Sequence, residues 1–238
     1  MDPGGVVSGP ATGSITHPSG AVGEFTVAPV RFGRSNVLAM CKHVTSPVND
    51  LNDDVAIYPI AWDGLALTSK RIKGAGMTDQ VWNYSYRSTI SWFYTGGGDP
   101  NFPVCTYGDC VAPQCTSDAC AGTLVTEVSG PQSFTRYTFG NSYRYNEGKL
   151  LMVETGASAA NVLRTQRFGY QWPTSSLPYV TQLGYSLNNR SDSTYTEAFV
   201  IPEREVSTLQ DGGTYSRKVE QFDLLARPVR IRRTHAVQ

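Results

Sequence analysis

Four cysteines form the densest set of reactive side chains in the sequence. Cys105, Cys110, Cys115 and Cys120 are spaced five residues apart, within a Cys/Gly-rich stretch at 95–120 that is predicted to be an insertion loop. Zinc sites favour closely spaced ligand pairs with two to four intervening residues, and here every gap holds four, the widest spacing of that range. The spacing therefore favours two disulfides of a secreted protein, with zinc binding and free thiols as the alternatives.

An acidic segment copies the beginning of a calcium-binding loop. Asp50, Asn52 and Asp54 occupy the first three ligand positions of such a loop. The sixth position needs glycine but holds Val55, and the twelfth needs glutamate but holds Ala61. The segment is therefore predicted to be a solvated acidic loop, and no metal site is expected in the chain.

Signatures of catalysis are missing from the sequence. It contains no Gly-x-Ser-x-Gly elbow, no His-Glu-x-x-His, no phosphate-binding loop and no complete dinucleotide fingerprint. His17, His43 and His235 lie in loop-like or terminal segments without a patterned nucleophile. We therefore expect no catalytic residues, no cofactor and no enzyme activity.

Three segments share an aromatic residue followed by Asp or Asn. They are Tyr145–Leu150, Phe222–Val229 and, with only the aromatic-Asp pair, Trp62–Leu65. The first two resemble the consensus of the RHS/YD-repeat proteins, which runs roughly aromatic-Tyr-Asp-x-x-Gly-Arg-Leu. The matching residues are Tyr145, Asn146, Gly148, Leu150, Phe222, Asp223, Ala226 and Arg227. The first copy has Asn for Asp, a spacer one residue short and Lys for Arg, and the second has Phe for Tyr and Ala for Gly.

The resemblance implies a fold and a role. RHS repeats coil into a hollow shell that encloses a C-terminal toxin or effector of the same long chain. The partners would be adjacent RHS repeats and that effector, in a secreted or cell-surface bacterial protein, although Met1–Val7 lacks the chemistry of a signal peptide. The family's self-cleaving core segment and the toxin have no counterpart here. Residues 1–238 would then be one repeat region with a structural function.

The alternative hypothesis is a free-standing β-rich carbohydrate-binding module. Its sugar-stacking platform would consist of Trp62, Trp82, Trp92 and Tyr84, with surface carbohydrate as the partner. Net charge is zero, with 20 basic and 20 acidic residues, so neither nucleic acid nor an anionic membrane is expected as a partner. No apolar run approaches the roughly 18 residues that span a bilayer, so membrane insertion is not expected.

Hydrophobic periodicity predicts an all-β fold with little or no helix. Residues 67–86, 124–154 and 214–233 each read as a hairpin, and residues 162–172 as a strand with alternating aromatics. Residues 173–193 are predicted to be a connecting loop. The expected architecture is a series of antiparallel hairpins in one curling sheet.

Two expectations concern the turns. In the hairpin at 124–154, Gly140, Asn141, Asn146 and Gly148 are residue types that tolerate positive φ angles. In the aromatic-Asp units, the Asp is expected to accept backbone N–H groups from the residues that follow it. The aromatic residue before it is expected to pack on the next hairpin.

Overall fold

The computed structural model describes residues 9–33, 35, 61–88, 122–142, 145–183 and 198–237. All regular structure in these ranges is β-strand, which confirms the predicted fold class. The strands are β1 (Ala11–Thr16), β2 (Val22–Gly33), β3 (Ala61–Gly74), β4 (Met77–Ser88), β5 (Thr123–Gly130), β6 (Ser133–Gly140), β7 (Leu150–Ser158), β8 (Asn161–Tyr170), β9 (Gln182–Leu183), β10 (Ala198–Phe199), β11 (Glu203–Gln210), β12 (Gly213–Phe222) and β13 (Pro228–Val237).

Eleven of these strands form one open antiparallel sheet. Its order is β1-β2-β3-β4-β5-β6-β7-β8-β11-β12-β13, so neighbours in the sheet are also neighbours in the chain except for one excursion between β8 and β11. In that excursion β9 and β10 pair with each other as a separate two-stranded sheet. The predicted connection at 173–193 includes the short strand β9, and residues 184–193 lie outside the described residues.

The two ends of the sheet differ in the length of their connections. At the turn end, strands are joined by tight reversals at 75–76, 131–132, 159–160 and 211–212, and β1 and β2 by residues 17–21. At the loop end the connections cover residues 34–60, 89–122, 141–149, 171–202 and 223–227. Long connections at one end of a rigid sheet are where binding residues usually lie. The cysteines at 105–120 belong to these connections but lie outside the described residues.

The hairpins predicted at 67–86 and 214–233 are present as β3–β4 and β12–β13, whereas residues 124–154 hold β5, β6 and the first part of β7. Residues 67–86 turn at Ala75-Gly76, where Gly76 has a φ of 75°. The β11–β12 hairpin turns at Asp211 and Gly212, with φ angles of 51° and 72°. Positive φ at both central residues defines the type I′ turn, whose twist matches that of paired strands.

The aromatic residues of β4 lie on one face of the sheet, as their period of two predicts. Trp82 lies opposite Lys70, Tyr84 opposite Val128 and Tyr86 opposite Thr126. These three rings are half-buried, whereas the residues between them are exposed. The sheet thus has an aromatic face, although its rings are only partly covered within the described part of the chain.

In two of the hairpins, a tyrosine hydroxyl forms a hydrogen bond with a backbone carbonyl of the neighbouring strand. The hydroxyl of Tyr86 on β4 donates to the carbonyl of Leu67 on β3 at 2.8 Å. The hydroxyl of Tyr170 on β8 donates to the carbonyl of Leu150 on β7 at 2.9 Å. Both carbonyls adjoin a register shift, between β2 and β3 in one case and between β6 and β7 in the other. The shared tyrosine–carbonyl hydrogen bond indicates that β3–β4 and β7–β8 are structurally equivalent units.

Few residues are fully enclosed. Among the described residues, the buried apolar side chains are Val125, Phe134, Tyr179 and Val219. The sheet is therefore a single layer over most of its described area, and the strands are held together by ladder hydrogen bonds and cross-strand pairs. No helix in the described ranges could cross a membrane.

Candidate functional site

Both copies of the repeat motif lie at the loop end of the sheet. Tyr145–Leu150 falls in the connection from β6 to β7, and Phe222–Arg227 falls in the turn from β12 to β13. β7 and β12 are three strand spacings apart, which at about 4.8 Å per strand is roughly 15 Å. The two copies therefore lie at the same end of the sheet but are too far apart to form one site.

The turn at Phe222–Arg227 is organised by one carboxylate. Asp223 Oδ1 accepts the backbone N–H groups of Leu225 and Arg227, both at 2.9 Å. The guanidinium of Arg227 donates from Nε to Asp223 Oδ2 at 2.7 Å. Ala226, where the motif has glycine, has a φ of 61°. The expected hydrogen bonding of Asp223 is confirmed, while its assignment to a repeat family stays a prediction.

The electrostatics of this turn depend on Arg227. Its side chain, followed by its backbone N–H, lowers the pKa of the Asp223 carboxyl below the ordinary value. The preceding aromatic, Phe222, meets the ring of Tyr179 edge-on at 5.7 Å and 80°. Tyr179 belongs to the connection between β8 and β9, so Phe222 anchors that connection, and its packing on a following hairpin stays a prediction.

We expect the two roles of Asp223 to separate on substitution. Asp223→Asn keeps an oxygen for the backbone N–H groups but loses the ion pair with Arg227, whereas Asp223→Ala loses both. Amide hydrogen exchange at Leu225 and Arg227 should therefore accelerate strongly in the alanine variant and little in the asparagine variant. Equal acceleration in both variants would show that the ion pair, and not the backbone hydrogen bonds, orders the turn.

The connection at Tyr145–Leu150 has a buried polar centre. Ser142, Asn141 and Asn146 are 0%, 3% and 6% exposed. The carbonyl of Ser142 accepts N–H groups from residues 145, 146 and 147 at 3.1, 3.2 and 3.1 Å, and its N–H donates to Asn146 Oδ1 at 3.1 Å. The amide side chain of Asn146 thus closes the loop that its own backbone helps to form.

The buried polar centre also forms hydrogen bonds with residues that are distant in the sequence. The Ser35 N–H donates to the Asn141 carbonyl at 2.8 Å, and Ser35 Oγ donates to Asn141 Oδ1 at 2.9 Å. Ser142 Oγ lies 3.0 Å from Ser35 Oγ and accepts the N–H of Gly122 at 3.0 Å. We refer to Ser35, Gly122, Asn141, Ser142 and Asn146 as the serine–asparagine cluster. It fastens three connections of the loop end to one another.

The glycines and asparagines of this connection have different roles from those expected. Gly148 has a positive φ, 73°, as predicted. Gly140, Asn141 and Asn146 do not have positive φ angles. Gly140 is required for space instead, because a Cβ there would lie 2.3 Å from both Cγ and the backbone oxygen of Asn146. Asn141 and Asn146 serve as buried hydrogen-bonding groups.

The two motif copies differ in charge because they differ in burial. Asp223 lies in an exposed turn and carries its charge beside Arg227. Asn146 at the same motif position is buried, where an unpaired carboxylate would cost far more than a neutral amide. Asn146 Nδ2 has no hydrogen-bond partner among the described residues. The replacement of Asp by Asn in the first copy thus has a physical cause.

An aromatic groove of about 330 Å³ opens beside the same connection. The rings of Tyr145 and Trp172 lie 4.5 Å apart at 47°, and Trp172 also packs on Phe199 at 5.5 Å. Lys149 Nζ donates to the carbonyl of Ile201 at 3.1 Å. Burial lowers the pKa of Lys149 below the ordinary lysine value. The groove could accommodate a flat apolar group beside a cation that is held in place.

No protein-family model, curated protein or solved structure matches this chain. The resemblance to the RHS/YD-repeat proteins therefore rests on the motif residues, and family membership stays a prediction.

The aromatic residues of the alternative hypothesis do not form one platform. Trp62 stacks on Phe32 at 6.2 Å, close to the loop end of β3. Trp82 lies opposite Lys70, eight residues further along β3 and hence roughly 26 Å away, and Lys70 Nζ lies 4.6 Å from the centre of its ring. Trp92 lies outside the described residues. Trp62 and Trp82 are thus too far apart to contact one sugar ring together.

The described residues show no constellation typical of catalysis or metal binding. Among them, no three His, Cys, Asp or Glu side chains could hold a metal ion together. His17 Nδ1 accepts the N–H of Ser19 at 3.2 Å and lies 2.8 Å from its hydroxyl, which stabilises the turn between β1 and β2. His235 stacks on Tyr215 at 4.5 Å. His43 and the acidic segment at 50–54 lie outside the described residues.

A ladder of alternating charges crosses the other face of the sheet. Arg87 on β4, Glu127 on β5, Arg136 on β6 and Glu154 on β7 lie on consecutive strands. Arg136 Nε donates to Glu127 Oε1 at 2.6 Å, and its Nη1 donates to Glu154 Oε2 at 2.9 Å. Sequence reasoning missed this ladder because it requires the strand register, which no residue pattern discloses.

The ladder makes a prediction for acid stability. Burial raises the pKa of Glu127, but hydrogen bonds from Arg136 and then Arg87 outweigh it, so the folded pKa lies below the ordinary 4.5. A carboxyl with a lowered folded pKa contributes stability above its unfolded pKa and loses it as pH falls through the folded value. We expect the free energy of unfolding to fall below about pH 4.5, and to fall less steeply in Glu127→Gln. Urea titrations at several pH values would measure the free energy of unfolding of both proteins. The same decrease at acidic pH in the wild type and in Glu127→Gln would contradict the prediction.

Proposed function

We propose that this chain is a structural segment of an RHS-type shell that encloses and delivers a C-terminal toxin or effector of a longer polypeptide. The observation that carries the proposal is the sheet itself: eleven strands in a nearly uninterrupted antiparallel order, with no strand beyond β1 or β13 in the part of the chain that the structure describes. A wall built from successive hairpins requires this arrangement, because each hairpin is completed by the next.

The two faces of the sheet support the proposal. One face carries the half-buried rings of β4 and the other carries the charge ladder from Arg87 to Glu154. An enclosing wall needs two faces of different chemistry, one for solvent and one for what it encloses. The motif resemblance supports the same role, and the function is containment and not catalysis.

The edges offer a test. β1 is exposed along its whole length and has no charged residue, so nothing in it opposes pairing with another chain. We expect the isolated chain to self-associate at micromolar concentration, and amides of β1 and β13 to become protected from hydrogen exchange within a longer polypeptide that contains the flanking repeats. Light scattering and exchange mass spectrometry measure the two effects, with the central strand β6 as the internal control.

A monodisperse, cooperatively unfolding monomer would contradict the wall segment. Containment itself is tested by limited proteolysis of the longer polypeptide: the effector should resist a protease that digests it readily when it is expressed alone. An effector that is cleaved equally fast in both settings would reject the enclosing role.

The aromatic groove favours a second candidate function, that of a carbohydrate-binding module. Sugars stack on exposed rings, and Tyr145 and Trp172 line the groove beside Lys149. A glycan array with the wild-type chain tests this candidate, with Trp172→Ala as the groove variant and Trp82→Ala as a control on the aromatic face. Binding that Trp172→Ala removes and Trp82→Ala retains would favour the module over the wall segment.

A further inference from the structure

Several charges in the interior of the sheet are paired across strands. Arg71 on β3 contacts Asp79 on β4 and lies 3.7 Å from Glu24 on β2. Lys73 on β3 also pairs with Glu24. The ladder from Arg87 to Glu154 follows the same rule over four strands. Opposite charges on neighbouring strands stabilise strand pairing, and like charges directly opposite weaken it.

The rule fails at the β13 edge. Residues 213–237 contain six basic and two acidic side chains, in a chain whose net charge is zero. Register places Lys218 opposite Arg232 and Arg217 opposite Arg233, so two like-charged pairs face each other between β12 and β13. On their other side, Arg217 pairs with Glu203 and Lys218 lies 3.7 Å from Glu205, both on β11. The excess of positive charge at this edge therefore lies on β13, which has three arginines and no acidic residue.

A single carboxylate serves two arginines at this edge. Glu220 accepts from Arg230 Nε at 2.9 Å and from Arg232 Nε at 2.7 Å. Arg233 has no acidic partner within the part of the chain that the structure describes. A cleft of about 460 Å³ on the same strands is lined by Arg204, Lys218, Glu220, Gln221, Arg230 and Arg232. The local field at this edge is therefore positive.

The β13 edge is also open to a further strand. No described strand lies beyond it, and residues 228–236 are exposed. After Pro228 the strand has no proline, so its outward backbone groups are available for a ladder. A β-strand added there would place its side chains about 5 Å from those of β13, close enough to pair with the arginines.

We propose that the β13 edge is the docking site of an acidic β-strand, whose carboxylates complete the charge pairing of Arg230, Arg232 and Arg233. A second copy of this chain does not fit this site. Two β13 strands would set arginine against arginine, and β1 has no carboxylate to offer. The inference rests on the proposed wall function, for which an edge must be completed, and adds the chemistry of the strand that completes it.

The test uses labelled ten-residue peptides and the intact chain in fluorescence anisotropy. The acidic peptide alternates Thr and Val and carries three Glu placed to face Arg230, Arg232 and Arg233. One control peptide has Lys at these positions, and another keeps the Glu but has a central Pro. We expect the acidic peptide to bind at least tenfold more tightly than the Lys peptide, and the Pro peptide not to bind, because it cannot form the ladder.

Charge reversal in the protein provides the decisive variant. Arg232→Glu with Arg233→Glu should prefer the Lys peptide, a gain that misfolding cannot produce, while Arg164→Glu on the interior strand β8 should bind as the wild type does. Equal affinity for acidic and Lys peptides would overturn the proposal, and so would undiminished binding of the Pro peptide, which would show ionic attraction without strand addition. If the peptides failed in this way, protection of the β13 amides from hydrogen exchange in the longer polypeptide, measured independently, would still support the proposed wall function.

Discussion

Replacing Gly140 by alanine is expected to destabilise the fold by about 3 kcal/mol, near the upper end of the usual cost of overpacking. The added Cβ would lie 2.3 Å from Asn146 Cγ, 2.3 Å from the Asn146 backbone oxygen and 2.4 Å from Oδ1. None of these atoms can withdraw easily. The carbonyl accepts from Lys149 N at 2.9 Å, and the side-chain oxygen accepts from Ser142 N at 3.1 Å. The clash therefore opens the serine–asparagine cluster.

Equilibrium unfolding in urea, monitored by tryptophan fluorescence, measures the effect on stability. Gly13→Ala is the matched control, since Gly13 lies in β1 and a Cβ there would have no atom within 4 Å. We expect the control to change the free energy of unfolding by less than about 0.5 kcal/mol. Equal effects of the two substitutions would mean that the close approach of Gly140 to Asn146 is relieved at little cost.

Local alternation predicted the hairpins β3–β4 and β12–β13, but neither the strand β11 nor the turn at 131–132 that separates β5 from β6. Threonine and aromatic residues at a period of two place Trp82, Tyr84 and Tyr86 on one face, and the strand at 133–140 and the first part of β7 fall inside the hairpin predicted at 124–154. The turn at Asp223 was predictable for the same reason, because an Asx turn involves only residues within a few positions of one another. Fold class and local turn chemistry are thus encoded in short windows of the sequence.

The serine–asparagine cluster could not be predicted in this way. Ser35 and Ser142 are 107 residues apart and bond only because the sheet brings their connections together. No composition bias marks a lone serine as a structural centre. The role of Gly140 was misjudged for a related reason: positive φ can be inferred from residue type, whereas lack of space depends on what the fold packs against the residue.

The difference between the two motif copies follows from where each connection lies. In the β12–β13 turn, a carboxylate and a guanidinium remain near solvent and form an ion pair. In the β6–β7 connection, the serine–asparagine cluster closes over the same motif position, so a neutral Asn146 replaces the charge. Lys149, at the position of Arg227, then bonds to the carbonyl of Ile201. Burial is thus a physical reason for a neutral side chain at position 146.

Replacing Arg136 by methionine is expected to cost about 2 kcal/mol of folding stability, the order of a charged hydrogen bond lost from a partly buried site. Arg136 is the centre of the charge ladder, and its side chain is 24% exposed, with Glu127 at 19% and Glu154 at 17%. The guanidinium also lies 5.1 Å from the ring centre of the buried Phe134. Methionine keeps the apolar stem over that ring but leaves two carboxylates short of a partner.

A substitution of the neighbouring Arg87 tests whether the burial of Arg136, and not its charge alone, decides the loss of stability. Arg87→Met removes the other partner of Glu127, but Arg87 is 58% exposed, and an exposed pair contributes less than about 1 kcal/mol. Adding Glu127→Gln and Glu154→Gln to Arg136→Met should restore part of the stability, because neutral amides carry no charge that needs compensation. Urea unfolding at pH 7 and again at high salt measures these differences. If Arg87→Met proved as destabilising as Arg136→Met, burial would not decide how much each ion pair of the ladder contributes to stability. The exposed pair of Arg87 and Glu127 would then contribute as much as the central pairs of Arg136.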